Sequence, residues 1–310
     1  MERWDRAGRM AGYGAALSLT PYLLIKVAWV VGALVGVVPV GEEFTTAEWV
    51  VLNTVTVGMA AIGIGMALAL VRPWGMRMPG SLVGFCAWVG SGFLVSVLPF
   101  SVFGGLGGQG GGDGGALPAW EGVLIQLGFL GTGIGLAVAV PAYLRRRWPE
   151  AFAGRIGDGP RGAGAWPAVL AAAVGLVWLY WAAGGTVGIA HPAERVAAGY
   201  LLGAVSGFWA VAGAAAVWVT ARARPGGLPR WVPLVFGWVG SGSLFAWSGW
   251  KLPLTLYVAL AEPAGVTPPE DPVAAVLLHL CAVVAGAGML RVLVRSGGGS
   301  RRRAVAVRGG

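Results

Sequence analysis

Long apolar stretches constrain the fold of this chain more than any other feature of its sequence. Eight of them approach or exceed the roughly 20 residues that a helix needs to cross the hydrocarbon core of a bilayer. The runs are continuous and lack strict alternation, which argues against the strands of a membrane barrel. The sequence therefore predicts an all-α fold, a polytopic membrane helical bundle with about eight transmembrane helices. The stretches cover residues 21–40, 48–71, 81–103, 120–144, 166–190, 196–220, 231–250 and 272–294.

Composition agrees with a bilayer environment and argues against nucleic acid as a partner. Hydrophobic residues make up 56% of the chain and charged residues only 11%, whereas soluble domains carry about 25% charged residues. The net charge is +9. The arginines are nevertheless scattered among short loops and form no single basic stripe, which a nucleic-acid-binding face would require.

The basic residues are distributed asymmetrically between the two predicted sides of the membrane. Nineteen of the 22 lie in the N-terminal segment, after the second, fourth and sixth stretches, and towards the C-terminus. By the positive-inside rule, both termini are expected in the cytoplasm of a plasma-membrane protein. We expect a cytoplasmic segment at 1–20 that is retained, a cytoplasmic linker at 145–165 and a disordered basic tail at 295–310. The glycine-rich stretch at 104–115 is expected to be a flexible outer linker.

The two halves of the sequence share several patterns. The motif Trp88-Val-Gly-Ser-Gly92 recurs 150 positions later as Trp238-Val-Gly-Ser-Gly242, and the pattern W-x-x-G-x-x-x-G begins at both Trp29 and Trp181. These matches predict two parallel four-helix repeats, at 21–144 and 166–294. Such repeats can place a transport site at their interface, or they can simply enlarge a bundle.

A short segment of the predicted fifth span carries a resemblance. The sequence Leu179-Tyr-Trp-Ala-Ala-Gly-Gly-Thr-Val-Gly188 resembles a signature of small bacterial four-helix membrane proteins of unknown function. The whole chain also resembles uncharacterised multispanning membrane proteins of actinobacteria. Neither resemblance implies a reaction, a cofactor or a ligand.

Glycine pairs spaced four apart occur in four of the predicted spans. This spacing lets helix backbones approach closely, so we expect the pairs at helix interfaces. The pairs are Gly32 with Gly36, Gly131 with Gly135, Gly184 with Gly188 and Gly203 with Gly207.

A few polar residues inside the apolar stretches form a candidate intramembrane polar site, because such groups are costly in hydrocarbon. His279 could relay protons or form a neutral hydrogen bond with a neighbouring helix, and Gln126 occupies the corresponding position in the first half. Lys26 is expected to extend its side chain to the cytoplasmic headgroups, the alternative being a bundle-facing cation with a partner. Asn53, Ser91 and Ser241 are the remaining candidates.

Other reactive residues do not form recognisable sites in the sequence. Cys86 and Cys281 lie in apolar runs without metal-ligand spacing, and we expect buried structural thiols and no metal or cofactor. His191 and the pair Glu42–Glu43 are expected in solvated loops. Hydrolase and metalloprotease motifs are missing from the sequence.

Three functions remain open on this evidence. The first is a membrane partner subunit or scaffold, which would assemble with another membrane protein or with copies of itself. The second is a small-solute or proton-coupled transporter with a site between the repeats. A membrane-embedded enzyme is the third, and the sequence favours it least.

Overall fold

The described residues are all-α. The computed structural model describes residues 2–38, 45–106, 119–157, 164–261 and 268–308, and these form ten α-helices. The helices are α1 (Glu2–Leu34), α2 (Thr46–Ala69), α3 (Pro73–Arg77), α4 (Gly80–Leu106), α5 (Ala119–Arg147), α6 (Pro149–Phe152), α7 (Trp166–Ala182), α8 (Ala197–Arg222), α9 (Trp231–Ala261) and α10 (Pro272–Arg308).

Among the described residues, six helices are long and apolar enough to cross a membrane, namely α1, α2, α4, α5, α8 and α10. Two of the eight predicted spans are thus without this support. Helix α7 is apolar but has 17 residues, which extend only about 26 Å at 1.5 Å per residue. Helix α9 has 31 residues, but its many Trp, Gly and Ser residues reduce its mean hydropathy.

The first and last helices extend beyond the predicted spans. Helix α1 begins at Glu2 rather than near residue 21 and continues through Pro21, which a membrane helix tolerates when nearby groups satisfy the freed backbone. Helix α10 continues to Arg308, through the segment predicted to be a disordered tail. Arginine and alanine are strong helix formers, and the sequence prediction gave more weight to the glycines.

The chain divides into two compact units. The first comprises Met1–Ala87 and Phe100–Arg147, and the second comprises Trp88–Pro99 and Trp148–Gly310. The division departs from the predicted boundaries at 21–144 and 166–294, because the middle of α4 belongs to the second unit.

In the first unit, α1 packs against both α2 and α5. Helix α2 begins with a capping box, in which Thr45 and Glu48 exchange side-chain and backbone hydrogen bonds. At the other end of the unit, Arg147 donates to the carbonyl oxygens of Gly75, Met76 and Met78. These bonds tie the end of α5 to the turn around α3.

In the second unit, α7 packs against α8 and α10, and α9 packs against α8 and α10. The core is built from small residues around a few large ones. Trp178, Trp181, Leu244 and Met289 are buried there among alanines. Alanine-rich cores allow short distances between helix axes, and glycines shorten them further.

Helices α8 and α9 approach each other closely at glycine. A Cβ added at Gly240 would lie 2.4 Å from the carbonyl oxygen of Trp209 and 2.6 Å from the Cα of Gly213. Between α7 and α8, a Cβ at Gly207 would lie 2.9 Å from the carbonyl oxygen of Gly175. No side chain fits at these crossings without moving a helix.

The predicted glycine pairs have different roles. Gly131 and Gly135 of α5 lie against α1, and Gly203 and Gly207 of α8 lie against α7, so the packing prediction is correct for these two pairs. It is wrong for the pairs that begin at Gly32 and Gly184, because α1 and α7 end near them. Gly36 and Gly188 instead have positive φ angles of 72° and 82° just beyond those helices, a conformation that glycine adopts at low cost.

Candidate functional site

The six predicted polar residues fall into two groups. Lys26, Asn53 and Gln126 belong to the first unit, and Ser91, Ser241 and His279 belong to the second. Within each unit the structure brings some of these residues into contact with polar groups that the sequence did not single out.

Lys26 and Asn53 form a direct hydrogen bond between α1 and α2. The Lys26 Nζ donates to Asn53 Oδ1 at 2.9 Å, and Asn53 Nδ2 donates to the Trp49 carbonyl oxygen at 2.9 Å. Asn53 is only 2% exposed. The ammonium also lies 3.9 Å from the centroid of the Trp29 ring, well within the range of a cation–π interaction.

The contact with Asn53 favours the alternative for Lys26, a bundle-facing cation with a partner, over extension of its side chain to the cytoplasmic headgroups. The prediction placed Lys26 near the start of the first span, whereas α1 begins at Glu2. Lys26 consequently lies in the last third of α1. It occupies the same end of the unit as the first turns of α2, and its ammonium turns towards that helix.

A carboxylate adjoins this cluster through Trp29. The indole Nε1 donates to Glu121 Oε2 at 3.1 Å, and Glu121 lies in the first turn of α5. Trp29 therefore presents its face to a cation and its edge to an anion. Sequence analysis missed Glu121, because its contact with Trp29 forms only where α5 packs against α1.

His279 pairs with a serine of the neighbouring helix. Its Nδ1 lies 3.1 Å from Ser248 Oγ, and its ring lies 6.3 Å from that of Trp178. His279 is 9% exposed and Ser248 is fully buried. The ring thus faces the helix interface, as the hypothesis of an interhelical hydrogen bond requires.

A histidine nitrogen beside a serine hydroxyl is also the arrangement of a base and a nucleophile. Such a pair acts on a substrate only if the substrate reaches the hydroxyl oxygen. Ser248 has no exposed surface, so the contact serves here as a hydrogen bond between α9 and α10.

Ser241 receives a hydrogen bond from the shared tryptophan motif. Trp88 Nε1 donates to Ser241 Oγ at 3.0 Å, and Ser241 Oγ donates to the Trp238 carbonyl oxygen. Ser91 Oγ donates in the same way to the Trp88 carbonyl oxygen, three residues before it. In the described part of the chain, the buried Trp238 Nε1 has no such hydrogen-bond partner.

A second buried pair follows along the same helices. The hydroxyl oxygens of Ser96 and Ser243 are 2.7 Å apart. Ser96 donates to the carbonyl oxygen of Gly92, which leaves Ser243 as the donor between the two hydroxyls. Ser96, Ser243 and Ser248 were not singled out from the sequence, because isolated serines in an apolar run give no signal of their partners.

Gln126 lies half-buried on α5 in the first unit. Its predicted counterpart, His279, has Ser248 of its own unit as its hydrogen-bond partner. That Gln126 and His279 occupy corresponding positions in two repeats is thus supported by the sequence alone.

The remaining reactive residues stand apart. Cys86 and Cys281 are free thiols and half-buried, and His191 is exposed in a loop. Glu42 and Glu43 lie outside the described residues. Within the described ranges, no group of three His, Cys, Asp or Glu side chains is placed to hold a metal ion.

The fold and hydropathy define the chain as an integral membrane protein of the multispanning α-helical class. No protein-family model, curated protein or solved structure matches its sequence or fold. The resemblances noted for its sequence are therefore not accompanied by an identified family.

Proposed function

We propose that the chain is a structural component of the plasma membrane, a partner subunit or scaffold, rather than a solute carrier. The observation that carries this proposal is the close backbone contact at Gly92 and Gly242. A Cβ added at Gly92 would lie 2.0 Å from the carbonyl carbon of Gly242. Helices this close leave no space for a solute between them.

The buried polar side chains support the same proposal. Trp88 bonds to Ser241, Ser96 to Ser243, and His279 contacts Ser248. Each group satisfies its neighbour across a helix interface, as polar groups in membrane bundles do when they stabilise packing. A transport path would instead present unsatisfied groups to a shared aqueous cavity.

The proposal includes two four-helix repeats and eight membrane spans. Equivalent glycines of the Trp-Val-Gly-Ser-Gly motif meet each other, and the two W-x-x-G-x-x-x-G patterns each place a buried tryptophan before a glycine of positive φ. In this view α7 and α9 complete eight spans. The positive-inside rule then places both termini in the cytoplasm.

One observation favours transport as a second candidate. The cluster of Lys26, Asn53, Trp29 and Glu121 joins a cation and a carboxylate within membrane-spanning helices. Intramembrane ionisable residues commonly mark ion or substrate pathways. The cluster connects α1, α2 and α5 whether or not a solute passes.

Water access to the serine pairs separates the two functions. Single cysteines replace Ser96, Ser243 or Ser248 in a Cys86→Ala/Cys281→Ala background, and membranes are treated with a small, charged thiosulfonate reagent. The positive control is His191→Cys, at a position that is exposed in a loop. Size-exclusion chromatography of each purified variant confirms that it remains monodisperse.

For a closed structural bundle, only His191→Cys reacts at an appreciable rate. Modification of Ser243→Cys or Ser248→Cys at a rate near that of His191→Cys would reveal an aqueous path. That result would refute the structural proposal and favour the transporter.

A further inference from the structure

A shallow groove runs between α8 and α9 on the surface of the second unit. It has a volume of about 200 Å³. Three alanines, Ala212, Ala215 and Ala216, line it together with larger apolar residues. The other lining residues are Val219, Leu228, Val232, Pro233 and Phe236. All eight are apolar, so the groove suits a hydrocarbon chain.

Exposed tryptophans lie on α8 and α9 near one end of the groove. Trp218 near the end of α8 and Trp231 at the start of α9 are 41% and 51% exposed. Exposed tryptophans collect where hydrocarbon meets headgroups. Leu228, in the connection between α8 and α9, also lines the groove, so the groove extends to the helix ends that carry these tryptophans.

The same end carries a concentration of positive charge. Arg222 and Arg224 are exposed in and after the last turn of α8, and the Arg222 guanidinium lies 4.6 Å from the centroid of the Trp218 ring. Arg230 donates to the Ser296 carbonyl oxygen, so its charge is held beside the loop. An Arg155 nitrogen would lie 3.9 Å from a Cβ at Gly227 of this loop.

Nearby negative charge is sparse in the sequence. Residues 196–261, which include α8, the loop and α9, contain no Asp or Glu. The acidic residue that most closely precedes Arg155 in the sequence is Glu150 of α6. Two exposed arginines in an acid-free stretch attract an anion, and arginine recognises phosphate oxygens through several N–H groups.

From this geometry we infer that the groove is a binding site for an anionic phospholipid. One acyl chain lies on the alanines between α8 and α9, and the phosphate lies at Arg222 and Arg224. A cluster of basic residues beside transmembrane helices is a recurring basis for recognition of acidic headgroups. This inference goes beyond the structural role proposed above and does not depend on it.

Native mass spectrometry of the full chain tests the site. The protein is released from nanodiscs containing phosphatidylglycerol and phosphatidylcholine, and retained lipids are identified by mass. The headgroup variant is Arg222→Ala/Arg224→Ala, and the groove variant is Ala215→Leu. Matched controls are Arg3→Ala/Arg6→Ala and Ala61→Leu, at positions that are likewise exposed.

We expect one phosphatidylglycerol to be retained in preference to phosphatidylcholine. The headgroup variant should weaken that retention roughly tenfold or more, since each basic residue near an acidic surface contributes about 1 kcal/mol. The groove variant should also weaken it, and both controls should retain the lipid as the parent chain does.

Three results would overturn the inference. Equal retention of the two lipids would remove the headgroup selectivity. Loss in the arginine variant but not in Ala215→Leu would indicate attraction to the surface without a groove. Unchanged lipid retention with an altered oligomeric mass in Ala215→Leu would show that a second copy of the chain occupies the groove.

Discussion

Gly92 of α4 and Gly242 of α9 meet backbone to backbone, with 2.0 Å between a Cβ added at Gly92 and the carbonyl carbon of Gly242. They are the last residues of the two copies of the Trp-Val-Gly-Ser-Gly motif. Trp88, the tryptophan of the first copy, donates a hydrogen bond to Ser241, the serine of the second copy. The motif that suggested a duplication thus lies where α4 and α9 approach each other most closely, within the part of α4 that belongs to the second unit.

The close crossing of α4 and α9 predicts that alanine substitutions at two glycines of α4 change the stability of the protein very differently. Gly92→Ala forces a methyl group into the backbone of α9, and overpacking of this kind costs about 1–3 kcal/mol. Gly90→Ala is the matched control, because a Cβ there meets no atom within 4 Å and alanine is the better helix former. Unfolding in mixed detergent micelles measures both. Equal stability of the two variants would contradict the close contact.

The hydrogen bond between Trp88 and Ser241 predicts an energetic coupling of these residues. A double-mutant cycle with Trp88→Phe and Ser241→Ala should give about 0.6 kcal/mol, the average for side-chain hydrogen bonds between membrane helices. The control cycle pairs Trp238→Phe with Ser91→Ala. Trp238 Nε1 has no hydrogen-bond partner in the described part of the chain, so this second coupling should be near zero. A larger coupling in the control cycle would show that the two motifs exchange their bonding.

Much of this arrangement was accessible from the sequence because it depends on composition and on repeated local patterns. Apolar length predicted membrane helices, and the shared motif drew attention to Trp88 and Trp238. The partners of buried polar groups were not accessible, since Ser248 becomes significant only when α9 packs beside His279. Glu121 was overlooked for the same reason. The place of Lys26 in the last third of its helix was not accessible either, because α1 begins at Glu2 and not near residue 21.

The contact between Lys26 and Asn53 predicts that these two residues are energetically coupled. Asn53→Leu should cost about 1.5–3 kcal/mol, the range for a hydrogen bond to a charged group. In a Lys26→Met background the same substitution should cost clearly less, because the ammonium is already absent. Lys251→Met provides the control background, since Lys251 lies beside Trp247 in the second unit. Additive losses in the Lys26→Met background would argue against the bond.

The pair of His279 and Ser248 gives a prediction about replacement by an amide. His279→Gln keeps a side chain that donates and accepts, so it should lose less stability than His279→Leu. The leucine variant leaves the fully buried Ser248 hydroxyl without its ring partner, which costs about 1 kcal/mol in typical cases. In a Ser248→Ala background, glutamine and leucine should become nearly equivalent. A lower stability of the glutamine variant in the parent chain would disprove a hydrogen-bonding role.

Membrane topology gives the last prediction, and only internal loops can test it. The positive-inside rule predicts a cytoplasmic N-terminus. With that orientation, if α7 and α9 both cross the membrane, the loop around His191 lies outside and the connection 223–230 lies in the cytoplasm. If neither crosses, these two loops exchange sides, yet the C-terminus stays cytoplasmic in both cases. A fusion at Gly310 would therefore detect an odd number of spans but could not separate eight from six.

The connection 223–230 is flanked by or contains three arginines, Arg222, Arg224 and Arg230, and arginines near helix ends resist translocation. We expect a reporter that is active only outside the cell to work when inserted after His191, and to fail after Gly226 and Gly310. Activity after Gly226 with silence after His191 would instead leave six crossing helices, with α7 and α9 on opposite sides of the membrane.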